Sequence, residues 1–212
     1  MHVPDGFLSP KLYVPAAAVA GTLWAYGLRR VARRMDEKAI PRVAVLTAFS
    51  FVLMMIMIPL PGSTSAHAAG VGILAALFGV WISYLSVSLA LLLQALLFGA
   101  GGITSLPVNA LAIGFAGSAA AVIGLRVMRP FGEKVGLFAA GWLSVNVAAL
   151  LLAVALGAQP FLAHADDGTP LFFPFGFSVT LPAMMIPHAL IGIGEGILTV
   201  LVVRFFRRME KE

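Results

Sequence analysis

Residues 82–100 read ISYLSVSLALLLQALLFGA, nineteen residues with no charge. At about 1.5 Å of rise per residue, a helix of that length spans the roughly 30 Å hydrocarbon core of a bilayer. Just before it, residues 67–79 read HAAGVGILAALFG, equally apolar but only thirteen residues long. That is too short to cross alone. The segment follows the turn Pro61-Gly62-Ser63-Thr64. It therefore reads as a short helix packed inside a protein and entered from an irregular loop at membrane depth. Such backbone is tolerated only where it is buried or lines a cavity.

Further apolar stretches lie at 12–29, 42–59, 107–127, 135–157 and 178–204. The expected fold is all-α: a polytopic membrane helix bundle of about seven helical segments, one of them short. Residues 1–212 form a single transmembrane domain, with 158–178 as a long outer loop. Composition agrees. Hydrophobic residues make up 60% of the chain, charged residues 11%, and mean hydropathy is +1.00. A soluble domain carries about 25% charged residues because its surface faces water.

The chain is basic, with a pI near 10.1. Its basic residues sit at the ends of apolar segments, not along one amphipathic face or in a long run, so nucleic acid is not the expected partner. With seven segments and the first entering from outside, the inner loops and tail hold Arg29, Arg30, Arg33, Arg34, Lys38, Arg42, Arg126, Arg129, Lys134, Arg204, Arg207, Arg208 and Lys211. That is 13 of the 14 Lys and Arg residues, leaving Lys11 outside. The positive-inside rule favours this orientation, with the N-terminus outside, the C-terminus cytoplasmic and the protein in the cytoplasmic (inner) membrane. The opening MHVPDGFLSP lacks the basic region and apolar core of a secretory signal, so the expected mature chain starts at Met1 with a free amine.

There are no cysteines, which excludes disulfides, thiolate metal sites and cysteine nucleophiles. The remaining candidates are few. A free Met1 amine, the His2 amide nitrogen and His2 Nδ1 can chelate one metal in fused rings, and a planar nitrogen set suits Ni(II) or Cu(II). One donor is missing from that square. His67, on the same outer side after small and hydroxyl residues that permit close backbone approach, is the natural fourth, although a capped helix-start histidine is the plainer reading. Glu195 is the one acid within a span, and His188 lies seven residues earlier on the same face. An ionisable group at that depth is by default a functional candidate, its plain alternative being a carboxyl that ties helices together.

His164, Asp166 and Asp167 on the outer loop resemble a cation lure, or are simply solvated. Asp5 reads as a residue that positions the terminal segment, and Asn109 as a polar residue near the outer mouth that can bond a loop or a ligand. Met54, Met55, Met57, Met184 and Met185 read as packing. Ala16 and Ala20, then Gly21 and Ala25, form small-residue pairs at helical spacing that let helices approach in lipid. No Gly-x-x-x-x-Gly-Lys-Ser/Thr loop is present, so ATP hydrolysis by that route must come from other subunits. Competing readings are an intramembrane serine hydrolase pairing Ser63 or Ser65 with His188, and a stand-alone proton-coupled carrier using Glu195.

The opening Met1-His2-Val3-Pro4-Asp5-Gly6-Phe7-Leu8, the Gly-Ser-Thr-Ser-Ala-His67 loop, the Gly-Gly-Ile-Thr-Ser-Leu-Pro-Val-Asn109 turn and the His188/Glu195 helix resemble the CbiM/NikM family. These are the substrate-specific subunits of energy-coupling-factor (ECF) transporters for nickel and cobalt. The resemblance covers nearly the whole chain. It implies that residues 1–11 form an N-terminal metal-binding loop that dips into the bundle, where the Met1 amine, the His2 amide and ring, and His67 hold the metal in a near-planar set. It also implies a membrane coupling subunit, cytoplasmic ATPases and a further small membrane subunit, with Ala16 and Ala20 matching the docking stripe. Pro4-Asp5-Gly6 and the His67 loop look closer to the nickel branch, which makes Ni2+ the expected substrate over Co2+. Pro107 and the short loop after Ala100 depart from the family pattern. Asn109 therefore inherits no role, and His188 and Glu195 inherit only structural support.

Overall fold

A computed structural model describes residues 2–33, 35–60 and 64–209. Met1, the turn residues 61–63, Arg34 and the last three residues, Lys211 among them, lie outside the described residues. Six long helices dominate: α1 Pro10–Ala32, α2 Ile40–Met55, α3 Val71–Phe98, α4 Leu106–Phe131, α5 Glu133–Gly157 and α6 Phe177–Met209. Four of them, α3 to α6, are both long enough and apolar enough to cross a membrane. α2 is apolar but short, and α1 is long but less apolar. The protein is a multi-pass membrane helix bundle.

Two details correct the expectation from sequence. A small antiparallel pair, β1 Ile58–Leu60 and β2 Thr64–Ala66, with Ile58 opposite Ala66, stands where the second span was expected to continue to residue 59. In addition, the expected short segment and the span after it are joined in one element, α3, from Val71 to Phe98, with no loop between its two arms. Gly79 breaks the helix with φ +78 and ψ −178, a conformation glycine adopts without a Cβ penalty.

The contacts of α3 show what the break does. Its first arm follows α6 from Glu195, which holds Ala69 and Gly70, to Thr199, which touches Gly72. Its second arm passes Ser118 through Ser83 and then reaches the Phe51 carbonyl through Gln94, near the end of α2. The chain thus bends back at Gly79. The second arm climbs to the end of the bundle that holds the N-terminal segment.

α5 and α6 form the largest helix interface. They run antiparallel, since Gly157 at the end of α5 abuts Thr180 and Phe177 at the start of α6, and Arg207 pairs with Glu133 at the other ends. Gly141 sits at the crossing of three helices. A Cβ there would press on the Glu195 carbonyl and Thr199 of α6, and the Cβ of any residue at 72 would press on Gly141 itself. Small residues at such crossings are how membrane helices come close enough to gain dispersion energy where lipid removes the hydrophobic drive.

The small-residue stripe on α1 also differs from expectation. Ala20 is fully buried (0% exposed), with its carbonyl accepting the Tyr84 hydroxyl, and Ala16 packs against the core. The exposed small residues are Ala17, Ala18, Gly21 and Ala25. With 3.6 residues per turn, the 16/20 face and the 17/18/21/25 face point to different neighbours.

Candidate metal centre

The N-terminal segment is inserted into the bundle. His2 (6% exposed), Val3, Leu8 and Ser9 are buried. Polar side chains distant in sequence satisfy its backbone, as a chain without regular structure at membrane depth requires. Asn109 treats Val3 as a neighbouring strand would: its Oδ1 accepts the Val3 N–H at 3.0 Å and its Nδ2 donates to the Val3 carbonyl at 3.0 Å. The Ser105 hydroxyl donates to the same carbonyl at 2.5 Å. Further along, the Ser9 N–H donates to Gln159 Oε1 at 2.8 Å, Lys11 Nζ donates to the Leu162 carbonyl at 2.8 Å, and Phe7 meets Phe173 with ring centroids 5.3 Å apart. Phe173 is buried, so loop 158–178 covers part of the terminal segment.

Asp5 does not point at the histidines. Its carboxylate accepts the N–H groups of Ile103 and Thr104 at 3.0 and 2.9 Å, a longer contact from Ser105 at 3.4 Å, and the Thr104 hydroxyl at 2.5 Å. It thereby ties down the turn 102–105 that leads into α4, satisfying backbone N–H groups of that turn. Burial alone would raise its pKa. The bonds from Thr104, Ile103 and Ser105 outweigh that and hold the carboxyl below the usual range. The adjoining loop must be glycine: a Cβ on Gly102 would collide with Asp5, and Gly101, at φ +78, passes His2. π-helical turns span Ala110–Ala116 directly after Asn109, a distortion that often marks functional sites.

His67 (1% exposed) stands opposite His2, their ring centroids 4.4 Å apart and their planes inclined by 48°. His67 Nδ1 lies 3.0 Å from the Ala68 carbonyl. A carbonyl only accepts, so Nδ1 carries the proton and Nε2 is the lone pair. That Nε2 and both ring nitrogens of His2 are buried with no hydrogen-bond partner among the described residues. The stretch behind His67 is clamped from two sides. Glu195 (1% exposed) accepts the N–H of Ala69 at 3.2 Å and of Gly70 at 2.6 Å, and the Ser50 hydroxyl donates to the Ala69 carbonyl. Gly70 itself has φ +67, the left-handed turn from which α3 departs.

Burial pulls the His2 pKa from 6.5 to about 3 and His67 well below 6.5, so both rings are ready as ligands at neutral pH. An undocked His2 takes a proton near 6.5, whereas the docked one resists until about 3. Between those values only the undocked form is protonated. Docking is therefore at full strength above about pH 6.5 and weakens as pH falls towards 3. Hydrogen exchange at the Val3 amide, slow at pH 7 once corrected for intrinsic rate, should lose protection across that window. Flat protection down to pH 4 would refute it.

The other candidates are not brought together. His164 bonds the Ala165 carbonyl through Nδ1, and Asp167 accepts the Thr169 N–H. Among the described residues, no group of three His, Asp or Glu converges on one point. His188 places Nδ1 on the Met184 carbonyl and leaves Nε2 without a partner, so it is not hydrogen-bonded to a serine; Ser63 lies outside the described residues. The residues that sequence reasoning missed are Ser105, Gln159 and Gly102. For Gly102 and Ser105 the only signal was a Gly-Gly pair followed by hydroxyl residues, and Gln159 had none.

Residues 2–212 match the family described as CbiM, cobalt uptake substrate-specific transmembrane region. The chain belongs to this family. It is 41% identical over 219 residues to the fused nickel transport protein NikMN of Rhodobacter capsulatus, covering 100% of this chain and 63% of that protein. It is 37% identical over 216 residues to the "Probable fused nickel transport protein LarMN" of Lactiplantibacillus plantarum, covering 99% of this chain and 65% of that one. This CbiM-family chain thus spans just under two thirds of the length of both fused relatives. A solved structure of a truncated transition metal transporter superposes with a TM-score of 0.95 at 38% identity, covering 99% of each chain.

Proposed function

We propose that this CbiM-family chain is the substrate-binding membrane subunit of an ATP-driven ECF-type uptake transporter, capturing Ni2+, with Co2+ as second choice, on the outer side. The Met1 amine, the His2 amide nitrogen, His2 Nδ1 and His67 Nε2 form the donor set. The observation that carries this reading is the pair of buried imidazoles 4.4 Å apart, with three ring nitrogens that no group among the described residues engages. Unpaired buried nitrogens are costly, and a metal ion repays that cost by taking their lone pairs. Two backbone nitrogens complete a planar N4 set of the kind that Ni(II) and Cu(II) favour.

The topology belongs to the same proposal. Counting the two arms of α3 separately gives seven segments, with the N-terminus outside and the basic clusters of Arg29 to Arg42, Arg126 to Lys134 and Arg204 to Arg208 on the cytoplasmic face. The partners are a membrane coupling subunit, cytoplasmic ATPases and a further small membrane subunit. About a third of each fused relative lies beyond the stretch matched here, room for that small subunit. The two relatives named for nickel favour Ni2+, while the family description names cobalt. Glu195 has backbone N–H groups on both oxygens, which suits a fixed acceptor more than a mobile proton carrier.

The test is calorimetric titration of Ni(II) and Co(II) into detergent-purified protein with its native terminus, beside His67→Ala. Tight binding, stronger for Ni(II), should weaken by about a hundredfold or more in the variant, since one of the ligands itself is lost. Equal affinity in both proteins would place the metal elsewhere.

A further inference from the structure

α5 and α6 are held in step at one end by the ion pair between Arg207 and Glu133. Inward of that pair the two helices leave an open groove of about 320 Å³, lined by Lys134, Val135 and Phe138 of α5 and by Ile197, Val200 and Leu201 of α6. A glycine shapes its floor. A Cβ on Gly196 would press on the Phe138 ring, so only glycine there lets that ring lie down against the backbone of α6.

α6 continues the apolar surface along its length. Ile186, Leu190, Ile193, Ile197 and Leu201 recur every three or four residues, which puts them on one helix face, and each is between 46% and 68% exposed. Large branched side chains in an unbroken stripe suit contact with lipid tails. A partner helix needs small residues to come close, such as those exposed on α1 at Ala17, Ala18, Gly21 and Ala25.

The stripe ends in charge. Arg204 follows Leu201 on the same face of α6, one turn before Arg207. Since Arg207 meets Glu133, Arg204 and Lys134 stand at nearly the same level, on either side of the groove mouth. Both are exposed, and among the described residues neither has an ion-pair or hydrogen-bond partner. Glu133, the acid adjoining Lys134, is engaged by Arg207 and does not neutralise them. An apolar slot that ends in two unpaired cations matches the tail and phosphate of one lipid.

We propose that this groove binds an anionic glycerophospholipid, with one acyl chain along Phe138, Ile197 and Leu201 and the phosphate held by Lys134 and Arg204. Long basic side chains lay their stems on apolar surface while the charged head reaches the headgroup level. Basic pockets between membrane helices are where anionic headgroups are recognised. A lipid seated there bridges the ends of α5 and α6, the largest helix interface of the bundle. The site needs nothing from the donor set proposed above.

Native mass spectrometry of the full chain, released from nanodiscs of phosphatidylglycerol and phosphatidylcholine in equal parts, tests this. The wild type should retain phosphatidylglycerol in preference to phosphatidylcholine. Lys134→Ala/Arg204→Ala should lower that preference by about tenfold or more. Leu201→Trp, which fills the groove and keeps both cations, should lose retained lipid to a similar degree. Arg29→Ala/Arg33→Ala removes the same charge from α1 and should change the preference by less than about twofold. Circular dichroism confirms that each variant is helical. An unchanged preference in Lys134→Ala/Arg204→Ala overturns the proposal, and so does an equal loss in the α1 variant, which would mean that net charge alone gathers the lipid. A dimer dissolved by Leu201→Trp would give the face to a second copy of the chain. A copurifying coupling subunit released by Leu201→Trp, with lipid retention unchanged, would give it to that protein. Either result overturns the lipid site.

Discussion

Two residues added ahead of Met1 abolish high-affinity nickel binding while the helical bundle stays folded. The chelate is proposed to use the terminal amine and the next amide, so moving the amine away removes one donor and leaves the other outside any fused ring that includes it. Two residues are needed because a single added residue would place His2 third in the chain. The amine, two amides and the imidazole would then form a planar set of their own without His67. The buried pocket compounds the loss: Val3 is pinned between Asn109 and Ser105, and Gly101 passes directly beside His2, so the terminus has no slack with which to re-enter. The expected loss is about a thousandfold, roughly 4 kcal/mol. Calorimetry on the extended and native chains, with circular dichroism to confirm helicity, decides it. Retained nanomolar binding would rule out the terminal amine as a donor.

Glu195→Ala lowers thermal stability and metal affinity together, whereas Glu195→Gln does so to a smaller degree. The carboxyl holds the Ala69 and Gly70 N–H groups at the entry to α3, all of them buried. Its removal leaves two interior donors without partners at about 1–3 kcal/mol each, a fall of roughly 5–15 °C in Tm. His67 is two residues before this clamp, so the stretch that aims its ring loosens with it. Glutamine keeps one carbonyl oxygen and hence one of the two bonds. Thermal unfolding and nickel titration of both variants provide the check. A wild-type Tm and affinity in Glu195→Ala would remove the carboxyl from the site. Transport lost in Glu195→Gln with binding intact would instead restore the proton-carrier reading.

Both predictions turn on contacts between residues far apart in sequence, and this is where reading the sequence stops. Apolar runs announced every long helix, because a bilayer demands about twenty apolar residues wherever they occur. The reversal within α3 was invisible as a backbone event, since hydropathy counts residues and carries no φ angle. Only the left-handed conformation of Gly79 shows that the short segment and the span after it are arms of one bent element, Val71–Phe98. The expected extension of the second span to residue 59 failed for a similar reason: Ile58–Leu60 pair with Thr64–Ala66, and apolarity alone does not separate strand from helix. On α1, spacing identified Ala16 and Ala20 as small residues but not which way they face; the neighbouring Tyr84 turned Ala20 inward.

The site divides in the same way. His2, His67 and Glu195 stood out because a histidine beside a free terminus and an acid in a span are chemically rare. Asn109 was named only as a residue able to bond a loop or a ligand, and Ser105 and Gln159 did not stand out at all, since common polar side chains acquire meaning only from the backbone they meet: Val3, and Ser9 across 150 residues of chain. The sequence alone determined that lipid is the solvent of this protein and which nitrogen ligands it can offer, because composition sets solvent and residue type sets donor chemistry. Only the tertiary structure decided that the N-terminal segment is drawn into the bundle and that two of those imidazoles face each other at 4.4 Å. That proximity follows from the packing of α3, α4 and α6 around a segment with no regular structure of its own, which no local pattern encodes.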